Sequence, residues 1–116
     1  MNQQAAILNV RTVENAGIID IQGDLTSQAE QALSDAYALA SDSSQVVILN
    51  FSGLEYMNSS GIGLLVTLLI RANRQKKRLL TCGLSEHYRH IFQLTRLDDA
   101  IGIYATEAEA LSTGMR

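Results

Sequence analysis

The period of the apolar residues changes several times along the chain. Ile7, Val10 and Val13 fall in a short, polar-interrupted stretch that predicts an edge strand. Asn15-Ala16-Gly17 is a turn signal, and Ile18-Ile19-Asp20-Ile21 predicts a second strand ending at Gly23. The two runs are too close for a helical crossover, so they are expected to pair as an antiparallel hairpin. After Gly23 the period becomes helical: Ala29, Leu33, Ala36, Tyr37 and Ala40 share one face, and Ser27 with Glu30 has the spacing of a capping box. Ser41-Asp42-Ser43-Ser44 ends that helix.

Val46-Val47-Ile48-Leu49 is a continuous β-rich run, the mark of a strand buried on both faces of a parallel sheet. A loop from Ser52 to Asn58 and a helix from Ser59 to about Gln75 are expected next. Leu79-Leu80-Thr81-Cys82 predicts another strand. Ser85 opens a third helix through about Arg96, with Tyr88, Ile91, Phe92 and Thr95 on one side. Ile101-Gly102-Ile103-Tyr104 predicts the last strand, and Thr106 with Glu109 caps a short final helix. The order β-β-α-β-α-β-α-β-α argues for an α/β fold with a mostly parallel sheet, an N-terminal antiparallel edge strand and covering helices. No repeat or linker interrupts it, so residues 1–116 are expected to form a single domain.

Charge narrows the function. Nine basic against twelve acidic residues give a net charge of −3, which argues against a general nucleic-acid binder. Cys82 is the sole cysteine, so neither an intrachain disulfide nor a cysteine-cluster metal site can form. Met1-Asn2-Gln3-Gln4 has no basic cluster before an apolar stretch, so a secretory signal is not expected. The apolar run from Gly61 to Ile70 is shorter than the roughly 20 residues of a membrane span. A cytoplasmic protein that neither enters a membrane nor binds nucleic acid is the resulting expectation.

In open α/β sheets, function gathers beyond the carboxyl ends of the parallel strands. Gly23-Asp24-Leu25-Thr26, Tyr56-Met57-Asn58-Ser59-Ser60-Gly61 and Gly83-Leu84-Ser85 meet that condition. The middle loop places two hydroxyls, together with Gly61 and Gly63, at the start of the most apolar helix. Capping alone accounts for Asn58-Ser59, because Asn and Ser side chains satisfy the free N–H groups of a helix start. The same N–H groups and the helix dipole also stabilise a phosphate. A serine there can therefore be phosphorylated without melting its own helix.

The stretch from Val46 to Leu65, with Tyr56-Met57-Asn58-Ser59-Ser60-Gly61-Ile62-Gly63 at its centre, resembles the signature of STAS domains. It is most similar to the stand-alone bacterial anti-sigma-factor antagonists. The likeness extends back to Gly23-Asp24-Leu25 and forward through Arg89–Leu97 and Ala105–Leu111, nearly the whole chain. The resemblance implies a regulatory binding protein without a cofactor, not an enzyme. Its partners would be an anti-sigma-factor serine kinase, bound while the antagonist is unphosphorylated, and a PP2C-type phosphatase that restores the unmodified form. It implies Ser59 as the phosphoacceptor. The implied partner surface comprises Asp24, Leu25 and Thr26, the run Asn58, Ser59, Ser60, Gly61, Ile62, Gly63 and Leu64, and Gly83, Leu84 and Ser85.

Three positions depart from the family pattern. Asn58 stands where an aspartate is usual, Thr26 where many members carry an aspartate, and Arg96 where a glycine is common. Asn58 removes a negative charge beside the acceptor but keeps the capping ability.

Other features have plainer readings. Ile62, Leu65, Val66 and Leu69 are expected to form the buried stripe of the second helix, with Leu64 and Leu68 off it, either covered by neighbouring elements or exposed for a partner. Arg71, Arg74, Lys76, Lys77 and Arg78 read as a solvated helix end, where cations favour the dipole. His87 and His90 lack a convincing third ligand, so no metal site is expected. Cys82 reads as a small buried hydrophobe, and Asp98-Asp99 as a turn. No nucleophile elbow, Walker A motif or dinucleotide fingerprint is present. Two alternatives to the switch remain: an accessory STAS subunit of an ABC-type transporter that does not switch, or a nucleotide-binding domain.

Overall fold

The computed structural model describes residues 5–114; residues 1–4, the stretch read for a targeting signal, lie outside it. Strands β1 (Ile7–Val13), β2 (Ala16–Leu25), β3 (Val46–Met57), β4 (Arg78–Cys82) and β5 (Gly102–Tyr104) form one sheet in that spatial order. β1 runs antiparallel to β2, and the remaining neighbours are parallel. Helices α1 (Glu30–Ser41), α2 (Ser59–Arg74), α3 (Glu86–Leu94) and α4 (Glu107–Gly114) alternate with the strands, as the sequence predicts.

The sheet separates two apolar layers. Ile19, Ile21, Val47, Leu49 and Leu79 pack with α1, α2 and α3, whereas Ile18, Val46, Ile48, Leu80 and Cys82 pack with Ala110 of α4. This alternation is the period-two pattern of a strand buried on both faces. All five residues predicted to share one helical face are buried: Ala29 just before α1, and Leu33, Ala36, Tyr37 and Ala40 within it.

Several boundaries move, each for a tertiary or stereochemical reason. The hairpin turn is Glu14-Asn15, with φ of 50° and 72°, one residue before the expected Asn15-Ala16-Gly17. Two consecutive residues with positive φ make the tight turn whose twist matches antiparallel strands. Ala16 and Gly17 instead begin β2, and Gly17 has no room for a β-carbon because the Ala40 main chain lies against it. The Ser27–Glu30 capping box does not form. Thr26, in extended backbone, accepts the Gln28 N–H at 3.4 Å and opens a 3-10 turn, Ser27–Ala29, that leads into α1.

The expected loop from Ser52 to Asn58 is strand as far as Met57, because β2 continues beside it to Leu25 across two register shifts. The buried stripe of α2 is Gly61, Leu65, Leu68 and Ala72. Leu65 is buried as expected and Leu68 is covered by neighbouring elements, whereas Val66, expected on the stripe, is 37% exposed. The third helix stops at Leu94, because Arg96 takes a left-handed conformation and a second 3-10 turn, Leu97–Asp99, follows and contains the expected Asp98-Asp99 turn. Thr106 does cap α4: its Oγ1 accepts the Glu109 N–H at 3.2 Å.

Candidate functional site

Register decides which of the three loops meet. Leu25 pairs with Met57, so β2 and β3 end side by side, and α1 and α2 start from neighbouring points. A β-carbon at Gly61 would collide with the Leu25 carbonyl, so the start of α2 packs directly on the end of β2. Glycine at 61 is thus demanded by the chain's own packing. Gly63 has nothing within 4 Å of where its β-carbon would lie, and its surface is free for a partner.

β4 stops earlier, at Cys82 opposite Asn50. Gly83, with φ of 76°, lies against Ser52, whose Oγ and N–H would crowd a β-carbon there. The Gly83–Ser85 loop therefore sits beside the middle of β3 and not beside its end. Of the residues considered for a partner surface, Ser59, Ser60, Gly63 and Ser85 are exposed. Asp24, Asn58, Ile62, Leu64 and Gly83 are half-buried. Leu25, Thr26, Gly61 and Leu84 are buried and shape that surface from beneath.

Ser59 is the first residue of α2 and follows its cap. Asn58 is extended, with φ of −96° and ψ of −177°, and its Oδ1 accepts the Gly61 N–H at 2.9 Å. The Asn58 carbonyl accepts the Ile62 N–H at 3.1 Å, so the helix is closed from its first turn. Among the described residues no side-chain hydrogen bond engages the Ser59 hydroxyl. It stands exposed at the positive end of a helix that has no acidic side chain in its first turn. A group of −1.5 to −2 charges placed there meets a favourable dipole and no local repulsion from the helix itself.

Sequence reasoning missed a residue that supports this site from behind. The sequence places Tyr88 only on one side of the third helix, with Ile91, Phe92 and Thr95. Its hydroxyl oxygen accepts the Met57 N–H at 2.8 Å, and its O–H faces the Met57 carbonyl at 3.5 Å. Its own N–H is taken by Ser85 Oγ at 3.3 Å, the cap of α3. A buried tyrosine hydroxyl needs a partner, and that need was the available signal. Which partner it finds depends on the fold.

The remaining polar clusters are occupied structurally. Arg71 lies over the Tyr37 ring at 4.7 Å and donates to Ser34 Oγ at 3.1 Å. Lys77 donates to the carbonyls of Ser41, the last residue of α1, and of Ser44 beyond it, and Arg78 to those of Thr113 and Gly114 at the end of α4. The basic cluster thus ties down other elements as well as its own helix end. Arg11 grips Asp20 through Nε at 2.6 Å and reaches Glu107 at 2.7 Å, tying β1 and β2 to α4. Cys82 is buried, and burial pushes its thiol up to about 11, which keeps it protonated and unreactive at neutral pH. Among the described residues no three His, Cys, Asp or Glu side chains are grouped to hold a metal ion, and no helix is long and apolar enough to cross a membrane.

Comparison with known proteins bears on the family and the fold. The STAS domain family model matches residues 8–110. An anti-sigma-B factor antagonist of Staphylococcus epidermidis is 27% identical over 106 residues, covering 88% of this chain and 98% of the relative. Its counterpart in Staphylococcus aureus is 26% identical over the same coverage. Among solved structures, an anti-sigma factor antagonist from Mycobacterium paratuberculosis superposes with a TM-score of 0.81 at 19% identity, covering 97% of this chain and 96% of that one. The Bacillus cell fate determinant SpoIIAA in its phosphorylated form gives 0.72 at 25% identity, covering 95% and 100%. The Staphylococcus and Mycobacterium proteins are named as anti-sigma factor antagonists. Matched from β1 into α4, with the signature loop at the junction of β2, β3 and α2, the chain belongs to the STAS domain family.

Proposed function

We propose that this chain is an anti-sigma-factor antagonist whose binding to an anti-sigma serine kinase is switched by phosphorylation of Ser59. The observation that carries the reading is the placement of Ser59. It is exposed, it is the first residue of a capped helix, and it adjoins the open surface at Gly63. The names of the relatives support the antagonist role, and a structural neighbour in a phosphorylated form supports the switch.

The switch is electrostatic and steric. Unmodified, the surface around Ser59, Ser60 and Gly63 is small and neutral, and a partner can approach its backbone closely. A phosphate adds bulk and about −1.5 to −2 charges in the middle of that contact. Keeping it hydrated opposes the complex, while the start of α2 keeps the modified chain folded. A coupling of about 1–3 kcal/mol weakens binding roughly 5- to 150-fold, enough to reassign a partner. A PP2C-type phosphatase reverses the change. Asn58, neutral where the family carries aspartate, removes one repulsion from the phosphate.

The test is phosphosite mapping by mass spectrometry on the chain recovered from its own cells, stressed and unstressed, with affinity measurements on variants. Occupancy of Ser59 that changes with conditions is expected. Ser59→Ala is expected to retain the anti-sigma partner and Ser59→Asp to lose affinity for it. A Ser59 that is never modified, or equal affinity of the two variants, would remove the switch and favour a constitutive scaffold.

A further inference from the structure

We propose that the Tyr88 hydroxyl is the positioning group that presents Ser59 for phosphoryl transfer; the inference rests on the switch reading above. The β3–β4 ladder ends at Asn50 and Cys82, yet β3 continues to Met57 with only β2 beside it. On the side that β4 has left, the buried main chain of Met57 still requires partners. The Tyr88 hydroxyl supplies them, accepting the N–H at 2.8 Å and facing the carbonyl at 3.5 Å. Tyr88 is 9% exposed and Met57 4%, so water competes little for either group. The hydroxyl does for the end of β3 what a neighbouring strand does elsewhere.

The position of that clamp matters. Only Asn58 separates Met57 from Ser59, and Asn58 is itself fixed by its cap on Gly61. In the transfer, Ser59 Oγ forms a bond to the γ-phosphorus of ATP. The bond from that phosphorus to the bridging oxygen breaks, and ADP leaves with the electron pair. The serine proton passes to a base of the kinase. Such a displacement needs the attacking oxygen in line, and a misplacement of about 1 Å can cost roughly 100-fold in rate. Freed from Tyr88, the end of β3 can tilt, and Ser59 moves with it. The line of contacts begins in the third loop, where Ser85 holds the Tyr88 N–H at 3.3 Å. Two loops that are not adjacent are thereby coupled through one side chain.

The fold provides a matched control. The Tyr37 hydroxyl is also in the interior and donates to Gln75 at 3.1 Å, at the opposite end of α2. Tyr88→Phe and Tyr37→Phe each remove one tyrosine O–H and keep the ring. The experiment uses the full chain, Mg-ATP and the serine kinase that co-purifies with the wild type from its own cells, well below the melting temperature of each variant. The rate of phosphate incorporation at Ser59 is the readout, together with amide exchange over residues 57–61. We expect Tyr88→Phe to lower kcat/KM at least tenfold and to speed exchange at those amides, while Tyr37→Phe stays within twofold of wild type. Equal rates for wild type and Tyr88→Phe, or equal losses in both variants, overturn the positioning role and leave the switch standing. A wild type that takes no phosphate on Ser59 removes the switch itself, and this inference falls with it.

Discussion

Asn58 Oδ1 accepts the Gly61 N–H at 2.9 Å, and this one bond sets where α2 begins. Asn58→Ala leaves that N–H without its partner and is expected to cost about 1 kcal/mol, read as a lower urea midpoint. Asn58→Asp keeps the acceptor and adds a charge at the positive end of the helix, which is expected to stabilise by about 0.3–1 kcal/mol. Folding would favour the ionised aspartate. The gain is therefore present above the ordinary carboxylate range and lost as the pH falls through the lowered folded value. Urea melts of the two variants between about pH 3 and 7 check both signs.

Gly61 and Gly63 stand in the same turn of α2 and are expected to respond oppositely to one added methyl group. At Gly61 the β-carbon meets the Leu25 carbonyl and the Met57 side chain, so Gly61→Ala must push α2 off the end of β2. A loss of about 1–3 kcal/mol is expected, seen as a fall in Tm. At Gly63 the space is open, and Gly63→Ala should raise stability by up to about 1 kcal/mol through helix propensity. Affinity for the anti-sigma partner is expected to fall several-fold all the same, because the methyl stands in the proposed contact. A Gly63→Ala variant that binds as wild type would move the contact elsewhere on the surface.

Arg96 ends the third helix at φ 63° and ψ 19°, a left-handed conformation that costs an L side chain about 1–2 kcal/mol. Glycine adopts it freely but loses more chain entropy on folding. Arg96→Gly is therefore expected to stabilise by about 0.5–1 kcal/mol, raising Tm by a few degrees in a scanning calorimeter. No change, or a fall in Tm, would mean that the arginine side chain makes contributions that outweigh the strain.

Asp20 is held below the ordinary carboxylate range, first by the hydrogen bond from Arg11 and then, against the upward push of burial, by that from Asn50. The folded state thus prefers the ionised form. The contribution of Asp20 is fully present above its unfolded value, near 4, and is lost as the pH falls through the lower folded value. Asp20→Asn is expected to be less stable than wild type at neutral pH, with the gap closing as the pH is lowered. Denaturation at a series of pH values reads the gap directly. A gap independent of pH would assign the effect of Asp20 to packing alone.

The alternation of apolar runs was enough to read the order of strands and helices, and the inner face of α1. Those signals are local: a residue's neighbours two, three or four positions away decide which face it shares. The cap at the start of α2 was legible for a similar reason, since Asn58-Ser59-Ser60-Gly61 carries its capping chemistry in four consecutive residues, whereas Ser59 as phosphoacceptor came from the family resemblance. Local signals could not settle how far β3 extends, because Ser52-Gly53-Leu54-Glu55 becomes strand only through its pairing with β2. They did not fix the buried face of α2, where Ile62 through Ile70 is apolar but for Gly63 and Thr67, and only tertiary packing selects Leu65, Leu68 and Ala72 for burial. Nor could they reveal that Gly61 is small for the sake of Leu25, or that Tyr88 reaches Met57 across 31 positions of sequence. By itself the sequence determined the order of the elements and the capping residues of the loop before α2. The tertiary structure decided which groups that loop leans on, because steric fit and hydrogen-bond satisfaction between distant segments exist only once the chain has closed on itself.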